Sequence, residues 1–230
     1  MDQPRDRARS QDNVVLSVVD QSPLRRGGNA AEALRESVEL AKAAERAGFA
    51  RYWVTEHHNT GALAGTSPEI LIGQIAARTS SIRVGSAGVM LSHYSALKVA
   101  EQFSVLNSFY PGRIDLGIGR APGSDQLTAQ ALADPRPEVD IMSFPRQVTD
   151  LLSYFHGFAE QAHPFSAIRA HPGPAPEGQP EVWLLGSSDY SARLAAHLGL
   201  PFGLIYLTQI LHAPTSGGMS DSVGLLLRKW

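Results

Sequence analysis

The chain has 230 residues, 43% hydrophobic and 18% charged, with a formal net charge of −2, which is material for one sizeable α/β domain or two small ones. No long basic stretch gives an electrostatic reason to expect nucleic acid or anionic lipid as a partner. Cysteine is absent, which excludes disulfides, zinc–thiolate sites, iron–sulfur ligation and a cysteine nucleophile, and points to a cytoplasmic protein.

Residues 1–13 are polar, mix both charge signs and lack the apolar run of a signal peptide, so they are expected to form a disordered leader. No segment approaches the roughly 20 apolar residues of a membrane-spanning helix. From Val14 onward, β-rich runs alternate with helical patterns. "VVLSVVD" (Val14 to Asp20) reads as a buried strand. A helix is expected from Asn29, where Glu32 three residues later completes a capping box, to a stop at Gly48. "RYWVTEHH" is the second strand, and Ser67-Pro68-Glu69 opens a helix running to about Thr79. "IRVGSAGVML" is the third strand, Ser95 to Asn107 the third helix and "RIDLGIG" the fourth strand.

"RAPGSDQLTAQALADPRP" then reads as a long polar loop, followed by an amphipathic helix through "VTDLLSYF". The proline-glycine segment "AHPGPAPEGQP" is a loop, since the strand "EVWLLG" resumes the pattern at once. A helix from about Tyr190 to Leu198, closed by Gly199, precedes a sixth strand in "LPFGLIYL". Strands alternating with helices imply parallel pairing through right-handed crossovers. An open doubly wound sheet and a (β/α)8 barrel both satisfy that pattern, and both put function at the C-terminal strand ends.

Four strand-end motifs carry the chemistry. In "GSSDYSARL" (Gly186 to Leu194), free backbone N–H groups, two hydroxyls and a helix N-terminus suit a phosphate, though Ser188 or Asp189 could equally serve only as a helix cap. In "GIGRAPG" (Gly117 to Gly123), side-chain-free positions allow close approach of a flat ligand. Arg120 could add a bidentate contact to phosphate or be an ordinary loop arginine. The small residues of "VGSAGVML" (Val84 to Leu91) fit either a bulge beside something planar or a barrel strand alternating small and large residues. In "TEHH" (Thr55 to His58), successive side chains of extended backbone face opposite ways, so His57 and His58 do not readily chelate one metal. Glu56 and His58 could share a face, and no metal site is expected. A histidine at a strand end beside a pocket suits proton transfer, because its pKa lies near neutrality.

Together these motifs, with "AERAGFARYWVTEHHNTG", "TSSIRVGSAGVMLSHYSALKVAEQFSVLNSFYPGRIDLGIGRAPG" and "EVWLLGSSDYSARLAAHLGLPF", resemble the bacterial-luciferase-like flavin monooxygenase family, in its alkanal-monooxygenase-like, FMN-linked branch. The resemblance implies a TIM-type (β/α)8 barrel over residues 14–202, with about six of the eight strands present. It implies reduced FMN supplied by a separate NAD(P)H-dependent flavin reductase, reaction with O2, and oxidation of a small organic substrate, an aldehyde among the candidates. A deazaflavin is a variant cofactor. In the residues it matches, Ala87-Gly88 corresponds to a non-proline cis peptide against the flavin ring. Arg120 with Gly186, Ser187 and Ser188 corresponds to the flavin-phosphate site, and His57, with His58 beside it, to the proton-transfer histidine. Gly119 stands where bacterial luciferase has a reactive cysteine, which argues against luciferase itself. Residues 203–230 no longer resemble the family and read as a divergent tail on a C-terminally shortened chain. The shortening leaves open a non-catalytic flavin-binding protein or an inactive fragment, and exposed barrel edges predict a homo-oligomer.

Overall fold

The computed structural model describes residues 15–120, 125–134 and 141–205. The expected leader and residues 206–230 of the tail lie outside them.

Strands β1 (Ser17–Asp20), β2 (Arg51–Val54), β3 (Arg83–Ser86), β4 (Val89–Met90), β5 (Ile114–Gly119), β6 (Glu181–Gly186) and β7 (Phe202–Leu204) form one seven-stranded sheet in the order β1-β2-β3-β5-β6-β7, with β4 pairing β5. Every named pair is parallel. Helices α1 (Ala30–Arg46), α2 (Pro68–Ala76), α3 (Ala96–Phe109), α4 (Gln126–Ala133), α5 (Phe144–His156) and α6 (Asp189–Leu198) fill the connections. Sequential parallel strands with helical crossovers make a part-barrel, in which β1 and β7 are the edges among the described residues.

The local signals act where the residues suggest. Asn29 Oδ1 accepts from Glu32 N–H at 3.0 Å, and Glu32 Oε2 accepts from Asn29 N–H at 3.2 Å, so the capping box starts α1. Gly199 closes α6 in the left-handed region at φ 66°, a conformation that a side chain disfavours. Ser67 precedes α2 without a side-chain cap bond, and Pro68 sets the first turn instead.

Three expectations need correction. The second strand ends at Val54, so "TEHH" lies just beyond it. The third strand is two pieces, β3 and β4, separated at Ala87-Gly88, where the peptide bond is cis. The polar loop after β5 contains α4, because Asp125 caps it by accepting from Thr128 N–H at 3.0 Å.

Period-two alternation divides the sheet into two faces. Tyr52, Val54, Val84, Ile114, Leu116, Ile118, Val182 and Leu184 face the helices and pack on Ile72, Ile75, Phe103 and Leu151. On the other face Trp53 and Trp183 meet edge-on, with ring centres 5.2 Å apart, beside Ala87 and Leu185. Gly85 leaves room for Asp115 and Trp53: a Cβ there would lie 2.5 Å from Asp115 O and 2.9 Å from Trp53 Nε1. Of the two readings of the small residues in the third strand, Gly85 therefore follows the barrel alternation. Toward the strand N-termini the fully buried Asp115 takes Arg51 Nη1 at 2.6 Å, Trp53 Nε1 at 2.9 Å and Arg83 Nε at 2.9 Å. This charge cluster sits at the end of the barrel opposite the strand-end motifs, where packing and stability dominate.

Candidate active site

The register carries the four motifs to one end of the sheet. Val54 aligns with Ser86, Met90 with Gly119, Gly119 with Leu185 and Gly186 with Leu204. Thr55–His58, Ala87–Met90, Arg120 and Gly186–Ser188 therefore all follow, or lie at, the C-terminal ends of neighbouring strands.

The histidine segment is pinned from both sides. Thr55 N–H donates to Asp20 O at 3.0 Å, and His57 N–H donates to Gly65 O at 2.9 Å. The loop beyond is tied to the start of α4, where Asn59 Nδ2 donates to Asp125 Oδ2 at 3.0 Å. The two rings go separate ways. His57 Nδ1 lies 3.0 Å from Thr55 Oγ1, whereas His58 Nε2 lies 2.8 Å from Glu56 Oε1. Glu56 and His58 share a face, as extended backbone allows, while His57 turns to Thr55. Among the described residues, no group of three or more His, Cys, Asp or Glu gathers where it could hold a metal.

Burial holds the His57 imidazole below its ordinary pKa; Glu56 opposes this and His58 reinforces it. The lowering favours the neutral form of the His57 imidazole. Tyr94 donates its hydroxyl to Glu56 Oε1, and burial together with Glu56 pushes its titration well above the ordinary tyrosine range. Neither Glu56 as a junction nor Tyr94 was singled out from the sequence. The pairing spans 38 residues, and no local pattern announces it.

At β5, the backbone approaches the break in the third strand closely. A Cβ on Gly88 would lie 2.8 Å from Gly117 O, and one on Gly117 would lie 2.1 Å from Ser86 O. The glycines make room for this backbone approach and for Leu185, whose Cδ1 lies 2.8 Å from both Cβ positions, whereas a Cβ on Gly119 would meet nothing within 4 Å.

Arg120 leaves β5 and places its guanidinium carbon 4.4 Å from the centre of the Tyr190 ring, in the first turn of α6. The turn from β6 into α6 exposes Ser187 and Ser188. Ser188 is the N-cap residue, yet its side chain makes no cap bond; the cap-only reading of its hydroxyl is not what the structure has. Asp189 turns to Arg193 at 2.8 Å, so its charge has a partner on its own helix. A cation, two exposed hydroxyls and a helix N-terminus converge here, an arrangement suited to a phosphate. The segment 121–124 that follows Arg120, with the remaining glycine of "GIGRAPG", lies outside the described residues.

The family described as "Luciferase-like monooxygenase" matches residues 14–212. A luciferase-like monooxygenase of Escherichia coli (strain K12) is 49% identical over 189 residues, covering 82% of this chain and 54% of the relative. An N-acetyl-S-alkylcysteine monooxygenase of Bacillus subtilis (strain 168) is 44% identical over 193 residues, covering 84% of this chain and 57% of the relative. The crystal structure of apo-MsnO8, 47% identical, superposes with a TM-score of 0.74 over 82% of this chain and 55% of that one. The chain thus spans about half the length of the curated relatives it matches.

Proposed function

The chain belongs to the luciferase-like monooxygenase family, and on that premise we propose that it acts as an FMN-dependent monooxygenase on a small organic substrate. The observation that carries this reading is the convergence of Arg120 and the β6–α6 turn at the same sheet end as Ala87-Gly88 and the histidines.

The residues fit the cofactor at both its ends. Arg120, Ser187, Ser188 and the Gly186 backbone would hold the phosphate, with Asp189 drawn aside by Arg193. The Ala87-Gly88 backbone, with the Leu185 side chain packed beside it and the open position at Gly119, would accept the flat ring system. Reduced FMN, when bound, supplies the electrons that activate O2. The protein's own part is to orient the cofactor, exclude water and move protons. His57, neutral through burial, accepts a proton at neutral pH, and Thr55 Oγ1 fixes the direction of its ring.

A separate NAD(P)H-dependent flavin reductase supplies the reduced cofactor, and a cytoplasmic setting fits a chain without cysteine. Candidate substrates are an aldehyde, or a thioether of the kind named for the Bacillus subtilis relative. A second reading is a non-catalytic flavin-binding protein. Arg120 and the β6–α6 turn would serve it equally, since holding a phosphate requires no turnover.

The test is titration of the purified chain with FMN, reduced FMN and reduced deazaflavin, followed by fluorescence and by the shift in melting temperature, with oxygen uptake measured alongside. Tight binding of reduced FMN with oxygen-dependent turnover supports the monooxygenase. Binding without turnover selects the flavin-binding protein, and preference for deazaflavin changes the cofactor. Absence of binding overturns both readings.

A further inference from the structure

The most connected side chain at the strand ends is one that no step above uses. Glu56 is only 4% exposed, and three donors from three parts of the fold converge on its carboxylate. Oε1 accepts from His58 Nε2 at 2.8 Å and from the Tyr94 hydroxyl, and Oε2 accepts from Met90 N–H at 2.9 Å. Met90 lies in β4, immediately beyond the Ala87-Gly88 break, so one carboxylate joins the histidine segment to that backbone.

The chemistry of the acceptor also determines the state of the ring. A carboxylate oxygen has no proton to give, so a ring nitrogen 2.8 Å from it must carry the hydrogen. His58 is then protonated at Nε2, and Nδ1 becomes its acceptor. The Tyr94 hydroxyl also lies 3.4 Å from His58 Nε2, but it donates over a shorter distance to Glu56 Oε1, so the carboxylate is the closer partner of both groups. A buried carboxylate that orients a histidine and sets its tautomer acts by positioning, through the ring it holds.

We propose that Glu56 is the positioning residue of this site. It holds His58 in the Nε2–H form, leaves Nδ1 to accept a proton, and locks that ring to the backbone following Ala87-Gly88. His58 is then a second proton acceptor beside His57, oriented by a carboxylate where His57 is oriented by a hydroxyl. Its part in oxidation rests on the function proposed above, whereas the state of the ring does not.

The test separates the two. In the full chain labelled with 15N at the histidine rings and free of flavin, His58 is expected to show a protonated Nε2 and a bare Nδ1. In Glu56→Gln the carboxamide oxygen can keep the Met90 bond only by turning its NH2 toward His58, which is expected to invert the tautomer to Nδ1–H. Tyr94→Phe leaves the carboxylate in place and is expected to keep the parental ring state. With reduced FMN and substrate, Glu56→Gln is expected to lower kcat at least about 10-fold, less than the roughly 100-fold or more of a lost general base because Glu56 acts through the ring it positions, with the Kd for FMN unchanged within about 2-fold. A parental His58 in the Nδ1–H form, an unchanged tautomer in Glu56→Gln, or the same inversion in Tyr94→Phe would overturn the assignment. So would a loss confined to FMN affinity. If Glu56→Gln does not fold, the parental and Tyr94→Phe spectra still decide the ring state. Failure of the chain to bind or use flavin sinks the proposed function and leaves the flavin-free spectra as the judge of Glu56.

Discussion

The Arg120 guanidinium lies over the Tyr190 ring, 4.4 Å from its centre, so a residue leaving β5 is held against the first turn of α6. Tyrosine stacking limits the rotamers of a long cationic side chain and keeps its charge at the helix N-terminus, where phosphate binding is favoured. Arg120→Ala is expected to weaken FMN binding by about 10- to 100-fold, the range for a lost charge-assisted hydrogen bond of roughly 1.5–3 kcal/mol. Tyr190→Ala is expected to weaken it about 2- to 5-fold, as befits a contact at an exposed site. Fluorescence titration measures both. Riboflavin, which lacks the phosphate, should bind all three proteins alike; an equal loss for riboflavin would remove Arg120 from the phosphate site.

His57 connects the site to acid stability. Burial lowers its folded-state pKa below the ordinary value of about 6.5, so the unfolded chain takes up the proton first. Stability therefore falls as pH drops below about 6.5 and is fully present above it. His57→Gln is expected to flatten this limb, gaining on the parental protein at pH 5 relative to pH 8 in urea unfolding. His57→Ala, assayed with reduced FMN and substrate, is expected to lose about 100-fold or more in oxidation rate. A parental rate would end its role as proton acceptor.

Glu45 joins α1 to the turn before β3. Its Oε1 accepts from the N–H groups of Ser80, Ser81 and Ile82 at 2.8, 2.6 and 3.0 Å, which lower its pKa to about 2 against the desolvation that would raise it. A depressed carboxylate contributes stability above its unfolded pKa of about 4.5 and loses it as pH falls toward about 2. Glu45→Gln is expected to cost about 1–2 kcal/mol at pH 7, discounted for partial exposure. The gap from the parental protein should narrow steadily below about pH 4.5. A gap that stays constant from pH 7 to pH 3 would show that the charge is not what holds the turn.

Gly117 and Gly119 lie two positions apart in β5 and should respond oppositely to a methyl group. A Cβ on Gly117 would fall 2.1 Å from the Ser86 carbonyl oxygen, whereas a Cβ on Gly119 would meet nothing within 4 Å. Gly117→Ala requires backbone movement between β3 and β5 and is expected to destabilise by about 3 kcal/mol or more, at the severe end for overpacking. Gly119→Ala is expected to stay within about 0.5 kcal/mol of the parental protein. Thermal and urea unfolding compare them directly, and a tolerated Gly117→Ala would contradict the close approach.

Much of the fold was legible because its signals are local. Asn29 and Glu32 are one helical turn apart, and Gly199 ends α6 by its own backbone conformation. Helix α4 escaped because its apolar face is weak and its start depends on Asp125 meeting Thr128, inside a stretch rich in turn-forming residues. The site was legible in part. "TEHH" marked two histidines with different surroundings, and Glu56 facing His58 followed from extended backbone. The bonds from Tyr94 and Met90 to Glu56, and the stacking of Arg120 on Tyr190, join residues distant in the chain and leave no periodic trace.

The residues by themselves determined the alternation of strand and helix, the caps that start and stop several helices, and the clustering of unusual side chains after strands, because these depend on neighbours within a few positions. The tertiary structure alone decided which of those strand ends meet. Parallel register set Met90 and Leu185 beside Gly119, and the assembled sheet brought the Met90 N–H and the Tyr94 hydroxyl to a buried carboxylate and a guanidinium to one helix terminus. Such pairings are selected by backbone hydrogen bonds and packing across tens of residues, where closing the chain costs entropy that only the assembled sheet offsets.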